Sequence, residues 1–290
     1  MEIALHIGAS CTEGERLLRS LLRSADRLSA AGVAVPGPAR YRPLLRSAVV
    51  ARVRGEGRED AREVLLDAAL DGQEARRVVL SNPAFMALPP WAMEGGFLAA
   101  AGPKLRAAAD ILAPARTEAF LAIRNPATWL PAVWAQVKGP TFEEFTGGAD
   151  PRRLRWSDLM GRLREAAPTV PLTVWCNEDA VLVWGEVLAR LAGLPPGEAL
   201  EGRFDLMAAV SAEEGMERFR RYIAQHPGHT PAQERRVVGA FLDKYALPER
   251  MEEVVDVPGW DEALVEEVTR AYEADVERIG RMEGVTLVAP

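Results

Sequence analysis

The chain has 290 residues, 48% of them apolar and 27% charged, with a formal net charge of −7 at pH 7. That length can bury a large core, and the balance is that of a globular protein; the acidic charge argues against broad nucleic-acid or anionic-membrane binding. Cys11 and Cys176 make no disulfide framework, and no signal peptide or membrane-length apolar run is present, so the expectation is a cytoplasmic protein that binds neither nucleic acid nor membrane.

The first element is the apolar run Ile3, Ala4, Leu5 and Ile7, which has no helical period and suits a buried parallel strand. It stops at Gly8. A polar segment leads to Gly14, and from Leu17 the series Leu17, Leu18, Leu21, Leu22, Ala25 and Leu28 predicts one amphipathic helix. Residues 32–38 read as a short extended piece closed by a Pro/Gly turn, residues 43–53 as a helix, and residues 58–71 as a second amphipathic helix. The β-branched run 77–81 predicts a second core strand. Residues 83–97 are an irregular or short-helical insertion, and residues 105–112 a helix.

Residues 119–123 form the clearest strand, ending at Arg124-Asn125-Pro126. A helix over 127–138 follows, with Asn125 as cap, Pro126 at its first position, and a break or late start at Pro131. A helix over 156–166 leads to a strand over 170–175, and residues 180–191 form a helix apolar on nearly every side. Residues 203–283 read as almost wholly helical, and 285–288 as a short terminal strand. The alternation over residues 2–192 predicts an α/β fold: a parallel sheet flanked by helices on both faces, with the four strands at 3–7, 77–81, 119–123 and 170–175 as neighbours. Residues 193–290 should add a mainly helical part packed on that core, within a single domain spanning 1–290.

Strand, tight loop and helix in that order is the layout of a phosphate cradle. No Lys or Arg lies between Met1 and Glu15, while Glu13 and Glu15 are acidic. The stretch His6-Ile7-Gly8-Ala9-Ser10-Cys11-Thr12-Glu13-Gly14-Glu15 resembles the nucleotide loop of bacterial sulfotransferase-like proteins, His-Ile-Gly-x-x-Lys-Thr-Gly-Thr-Thr. Cys11 stands for the Lys, Glu13 for the Gly, and Gly14 and Glu15 for the two Thr. The resemblance continues in order: Val78-Val79-Leu80-Ser81 is similar to the second core strand, although Asn82 and Pro83 stand where an acidic residue is usual. Phe120 to Pro126 is similar to the strand ending in the arginine that grips the nucleotide 3′-phosphate. Ala132-Val133-Trp134-Ala135-Gln136 keeps the family's Gln and lacks its Ser. Thr141 to Phe145 and Trp175 to Asp179 resemble later family segments, and Gly259-Trp260, Tyr272, Asp275, Gly284-Val285 and Pro290 the closing pattern.

The resemblance implies a P-loop type fold with 3′-phosphoadenosine 5′-phosphosulfate as co-substrate rather than a tightly held cofactor. Gly8, Ala9, Ser10, Cys11, Thr12, Glu13, Gly14 and Arg124 would form the donor site, and an unidentified small molecule or glycan would accept the sulfuryl group. Against it stand the lost Lys, Thr pair and Ser, which suit a non-catalytic member of the same fold that serves as a binding or interaction scaffold. No residue pattern assigns the general base.

Each candidate also has a plainer reading. Arg124 either grips phosphate or pairs with a carboxylate in a structural ion pair. Cys11 is either a low-pKa nucleophile or a small loop residue. Glu13 and Glu15 suit a helix N-terminus, where carboxylates gain from the dipole. His6 ends a core strand and reads as a buried, hydrogen-bonded histidine. His226 and His229 flank a Pro-Gly bend without a third ligand, so they read as a solvated turn and no metal site is expected. Trp129 and Trp134 read as core, and Glu178-Asp179 as an N-terminal cap.

Overall fold

The computed structural model describes residues 1–195, 197–251 and 257–290. Six strands form one sheet: β1 (Glu2–Gly8), β2 (Val33–Ala34), β3 (Arg77–Ser81), β4 (Arg116–Ile123), β5 (Leu172–Cys176) and β6 (Val285–Val288). Their order is β2-β3-β1-β4-β5-β6, and every pairing is parallel. The four strands expected from the sequence are adjacent, and the short pieces at 33–34 and 285–288 extend the sheet at its two edges.

The two-residue period of the strands divides the core. Ile3, Leu5 and Ile7 of β1 join Leu80, Leu121 and Val174 on one face, under the helices Pro38–Val53, Ala101–Leu112 and Trp156–Ala166. Ala4 joins Val79, Phe120, Ala122 and Trp175 on the other face, under Arg16–Leu22 and Ala180–Ala192. His6, two residues after Ala4, therefore points to this second face. The helix Glu262–Ile279 packs on Trp156–Ala166, and its buried Asp275 accepts the Ser157 backbone N–H at 3.1 Å, satisfying a first-turn donor.

Several expected boundaries are corrected. The single helix from Leu17 to Leu28 is two, Arg16–Leu22 and Ala25–Ala30. Ser24 between them leaves helical geometry and its buried hydroxyl accepts the Glu201 N–H at 2.9 Å. Pro38 starts its helix five residues earlier than expected, because proline needs no donor in the first turn. The second amphipathic helix is trimmed to Ala61–Leu70, ending at Asp71 in the left-handed region. The helix after β4 spans Pro126–Trp134 and runs through Pro131 without a break.

Beyond residue 200 the helices Asp205–Val210, Glu213–Gln225 and Pro231–Tyr245 share a small core of Met207, Met216, Phe219 and Val238. Val181 and Leu182 pack against both this cluster and the second face, tying the helical part to the sheet. The expected helical stretch 203–283 includes residues 252–256, which lie outside the described residues. Among the described residues no helix is long and apolar enough to cross a membrane.

The sheet order places the site. From β1 the chain passes to β2 at one edge, returns inward to β3 beside β1, then crosses over β1 to β4 and continues to the opposite edge. The direction of winding reverses between β1 and β4, and in open α/β sheets ligands bind beyond the carboxyl ends of the strands at such a reversal. The segments leaving those two ends are residues 9–15 and 124–125.

Candidate functional site

Gly8 makes the turn out of β1 possible. Its φ is +110°, and a Cβ there would stand 2.4 Å from the carbonyl oxygen of Pro83. The Ala9 N–H donates to Ala122 O at 3.2 Å, which holds the loop's start against β4. From there the carbonyls are taken in succession. Thr12 Oγ1 donates to Ala9 O at 2.6 Å, Trp129 Nε1 to Ser10 O at 2.9 Å, and Arg124 Nη1 to Cys11 O. The Ser10 hydroxyl reaches Ala87 O at 3.3 Å. Gly14, with φ +56°, turns the chain into the helix Arg16–Leu22.

Arg124 thus faces the loop, as the sequence suggested, from the end of β4. Its Nε also donates to Thr128 Oγ1 at 3.0 Å, and its carbonyl accepts the Trp156 indole N–H at 2.8 Å. The residues Gly8 to Gly14 and Arg124 are brought together at the winding reversal.

The charges around them are arranged differently from the expectation for first-turn carboxylates. No acidic side chain lies in the first turn of Arg16–Leu22, and Glu15 at its N-cap makes no capping hydrogen bond. Glu15 is instead held by Arg42, whose two terminal nitrogens donate to its two oxygens at 2.6 and 2.9 Å. Those hydrogen bonds hold the Glu15 carboxyl below the usual carboxylate range. Glu13 turns inward, with 1% of its side chain exposed, and its Oε1 lies 2.6 Å from His6 Nε2. Neither Glu13 carboxylate oxygen nor His6 Nε2 makes a hydrogen bond among the described residues, so the two side chains meet in a close polar contact without hydrogen-bond alignment.

His6 is fully buried and hydrogen-bonded through one ring nitrogen, as its position at the end of a core strand suggested, while Nε2 makes only the close contact with Glu13. Nδ1 is 2.9 Å from Ser81 Oγ, and the ring stacks on Trp175 with centroids 6.1 Å apart. Ser81 is itself fixed: Tyr41 OH donates to its carbonyl at 2.7 Å and accepts its N–H at 2.8 Å, and Arg42 Nε donates to the same carbonyl at 2.7 Å. Ser81, His6 and Glu13 form a line like that of a hydrolytic triad. All three are buried and the Ser81 backbone is already bonded, so no substrate carbonyl has access to the hydroxyl.

Cys11 sits in the loop in surroundings that do not, on balance, lower a thiol pKa. Its φ is +60°, Gln136 Nε2 donates to its sulfur at 2.9 Å, and burial pushes the thiol pKa up, with nearby Arg124 opposing. The reading of Glu178-Asp179 as a cap is corrected, since Asp179 makes no capping bond. Glu178 bridges two elements, accepting the Asn125 N–H at 2.7 Å and the Tyr272 hydroxyl at 3.0 Å. Desolvation of the carboxyl raises its pKa despite both hydrogen bonds, although the residue as a whole is exposed.

Beside the loop lies a cleft of about 500 Å³, bordered by Glu13, Arg16, Asn125, Thr128, Asn177 and Glu178, with Val181, Leu206 and Met251 on its apolar side. It lies outside the carboxyl ends of β1, β4 and β5, and its polar wall mixes carboxylates, amides and two guanidiniums, those of Arg16 and Arg250. Among the described residues no group of three metal-ligating side chains occurs. His226 is exposed and bonds Tyr222 O through Nδ1 at 2.9 Å. Trp129 is buried, while Trp134 is half-buried and donates to Pro140 O at 3.0 Å. The Thr141 to Phe145 segment opens a short helix with a full capping box between Thr141 and Glu144.

Tyr41, Arg42, Ser81 and Tyr272 complete the site, although the loop pattern singles out none of them. Arg42 is 27 residues from Glu15 and His6 is 75 from Ser81, so no local spacing reveals either pair. No family model matches the chain, and no curated protein and no solved structure matches it significantly.

Proposed function

We propose that the chain is a sulfotransferase-like protein whose nucleotide loop no longer takes the phosphoadenosine donor, and whose cleft serves a non-catalytic binding scaffold. The observation that carries this reading is Glu13: a carboxylate packed into the interior of the loop, at the border of the cleft, in a segment without Lys or Arg from Met1 to Glu15. A phosphate about 4 Å from that carboxylate would meet a repulsion of roughly 4 kcal/mol at an effective dielectric of 20. Each missing charge-assisted hydrogen bond costs a further 1.5–3 kcal/mol or so.

A second reading, sulfuryl transfer from 3′-phosphoadenosine 5′-phosphosulfate to a hydroxyl or amine, draws on Arg124. Its guanidinium lies against the loop at a strand's carboxyl end, where a 3′-phosphate would need a cation. Titration calorimetry of the full chain with 3′-phosphoadenosine 5′-phosphate separates the two. The scaffold reading expects no saturable heat up to about 1 mM nucleotide, and a micromolar dissociation constant returns the chain to the transferases.

A further inference from the structure

A second, smaller groove of about 120 Å³ lies beyond the carboxyl end of β3, and it shares no lining residue with the cleft. Val49 and Phe85 form its buried floor, and its rim carries Val50, 37% exposed, and Trp91, 55% exposed. Trp91 closes the turn Pro89–Trp91, whose two prolines hold the backbone that presents the indole. A large aromatic ring left in water beside an apolar floor forgoes burial that would stabilise it by roughly 25 cal/mol per Å².

The charge at this groove is one-sided. Arg46, from the helix Pro38–Val53, and Lys104, from Ala101–Leu112, both line it, and no acidic residue does. Among the described residues Arg46 makes no hydrogen bond or ion pair. Lys104 Nζ donates to Met86 O at 2.8 Å and has no carboxylate partner. Burial, with the Arg46 charge adding to it, lowers the Lys104 pKa. In a chain of net charge −7, two cations without an acidic counterpart beside an exposed indole and an aliphatic floor are complementary to one kind of molecule.

We infer that this groove binds a small organic anion, a single aromatic ring bearing a carboxylate, sulfate or phosphate group. The ring lies against Trp91, Val50 and Phe85, and the anionic group meets Arg46 and Lys104. A groove of about 120 Å³ is smaller than the roughly 150 Å³ of an enclosed cavity that accepts benzene, so it seats no more than one ring and leaves the anionic group at the rim beside Arg46 and Lys104. This site does not depend on whether the loop of residues 8–15 takes a nucleotide.

The test titrates the full chain with benzoate, phenyl sulfate and phenyl phosphate, followed by calorimetry and tryptophan fluorescence. Saturable binding of at least one of the three is expected. Benzyl alcohol, without the charge, and inorganic phosphate, without the ring, should each bind at least about tenfold more weakly. Trp91→Ala and Arg46→Glu alter exposed side chains and should keep the thermal melt of the parent while weakening binding about tenfold or more. Absence of binding by all three probes up to about 10 mM overturns the assignment. So does equal affinity for inorganic phosphate or benzyl alcohol, or unchanged affinity in either folded variant.

Discussion

His6 Nε2 and Glu13 Oε1 stand 2.6 Å apart with both side chains closed to solvent, so the first strand and the loop that leaves it are joined by a buried polar contact. Such a contact is costly to break singly, because the survivor is left desolvated and unpaired, by about 1–3 kcal/mol. His6→Ala and Glu13→Ala should each destabilise on that scale. The combined exchange His6→Phe with Glu13→Leu should cost much less than the sum of its single exchanges. A double-mutant cycle by urea unfolding checks this, and single costs that simply add within about 0.5 kcal/mol would show that the two residues do not act as a unit.

Gly8→Ala tests the turn out of β1. The backbone there has φ +110°, which side-chain-bearing residues rarely adopt, and the new methyl would meet the Pro83 carbonyl oxygen at 2.4 Å. That oxygen belongs to the backbone and cannot rotate away. A loss of about 2 kcal/mol or more is expected in chemical unfolding. An unchanged midpoint would mean that the loop has another conformation.

The sheet was legible in the sequence because β1, β3, β4 and β5 are short apolar runs bounded by breakers, and parallel strands buried on both faces need nothing else. The loop could be located for the same reason, standing between such a run and a helical period. What the sequence hid were the partners of its charges. Glu13 reads as a surface carboxylate until the fold sets it against His6, and Glu15 reads as a helix-end residue until Arg42 reaches it from the helix Pro38–Val53. The split near Ser24 was hidden likewise, since the apolar series runs across it and the deciding bond comes from Glu201, 177 residues away. Tertiary contacts that override a local pattern leave no periodic trace.

The pH dependence of Glu178 has a definite sign. Glu178 as a residue is exposed, but desolvation of its carboxyl between Asn125 and Tyr272 holds its folded-state pKa above the ordinary 4.5, and the hydrogen bonds from those two residues only partly offset this. A group whose pKa is raised on folding contributes its full stability below the unfolded value and loses it as pH rises through the folded value. Glu178→Gln keeps a side-chain oxygen for the Asn125 N–H and removes the titration. Relative to the parent, the variant should therefore gain stability as pH rises from about 4 to 7. Urea midpoints across that range test it, and a difference that stays flat or runs the other way would contradict the raised pKa.

The exclusion of the phosphoadenosine donor is open to reversal at two positions. Cys11 already has φ +60°, so Cys11→Lys exchanges one side chain for another in the same left-handed backbone at little added conformational cost. Glu13→Gly removes the carboxylate closest to the loop interior, so an incoming phosphate meets a new cation and one anion fewer, with Glu15 still neutralised by Arg42. Restoring threonine at 14 is less suitable, because Gly14 has φ +56° and a β-branched residue there is strained. Glu15→Thr would release Arg42 from its carboxylate. The double exchange Cys11→Lys with Glu13→Gly should thus bind 3′-phosphoadenosine 5′-phosphate at least about a hundredfold more tightly than the parent chain, a gain of ~3 kcal/mol from one charge-assisted contact made and one repulsion removed. Calorimetry on the folded variant reads the result directly. Binding no tighter than the parent's would show that the loop charges are not what keeps the nucleotide out.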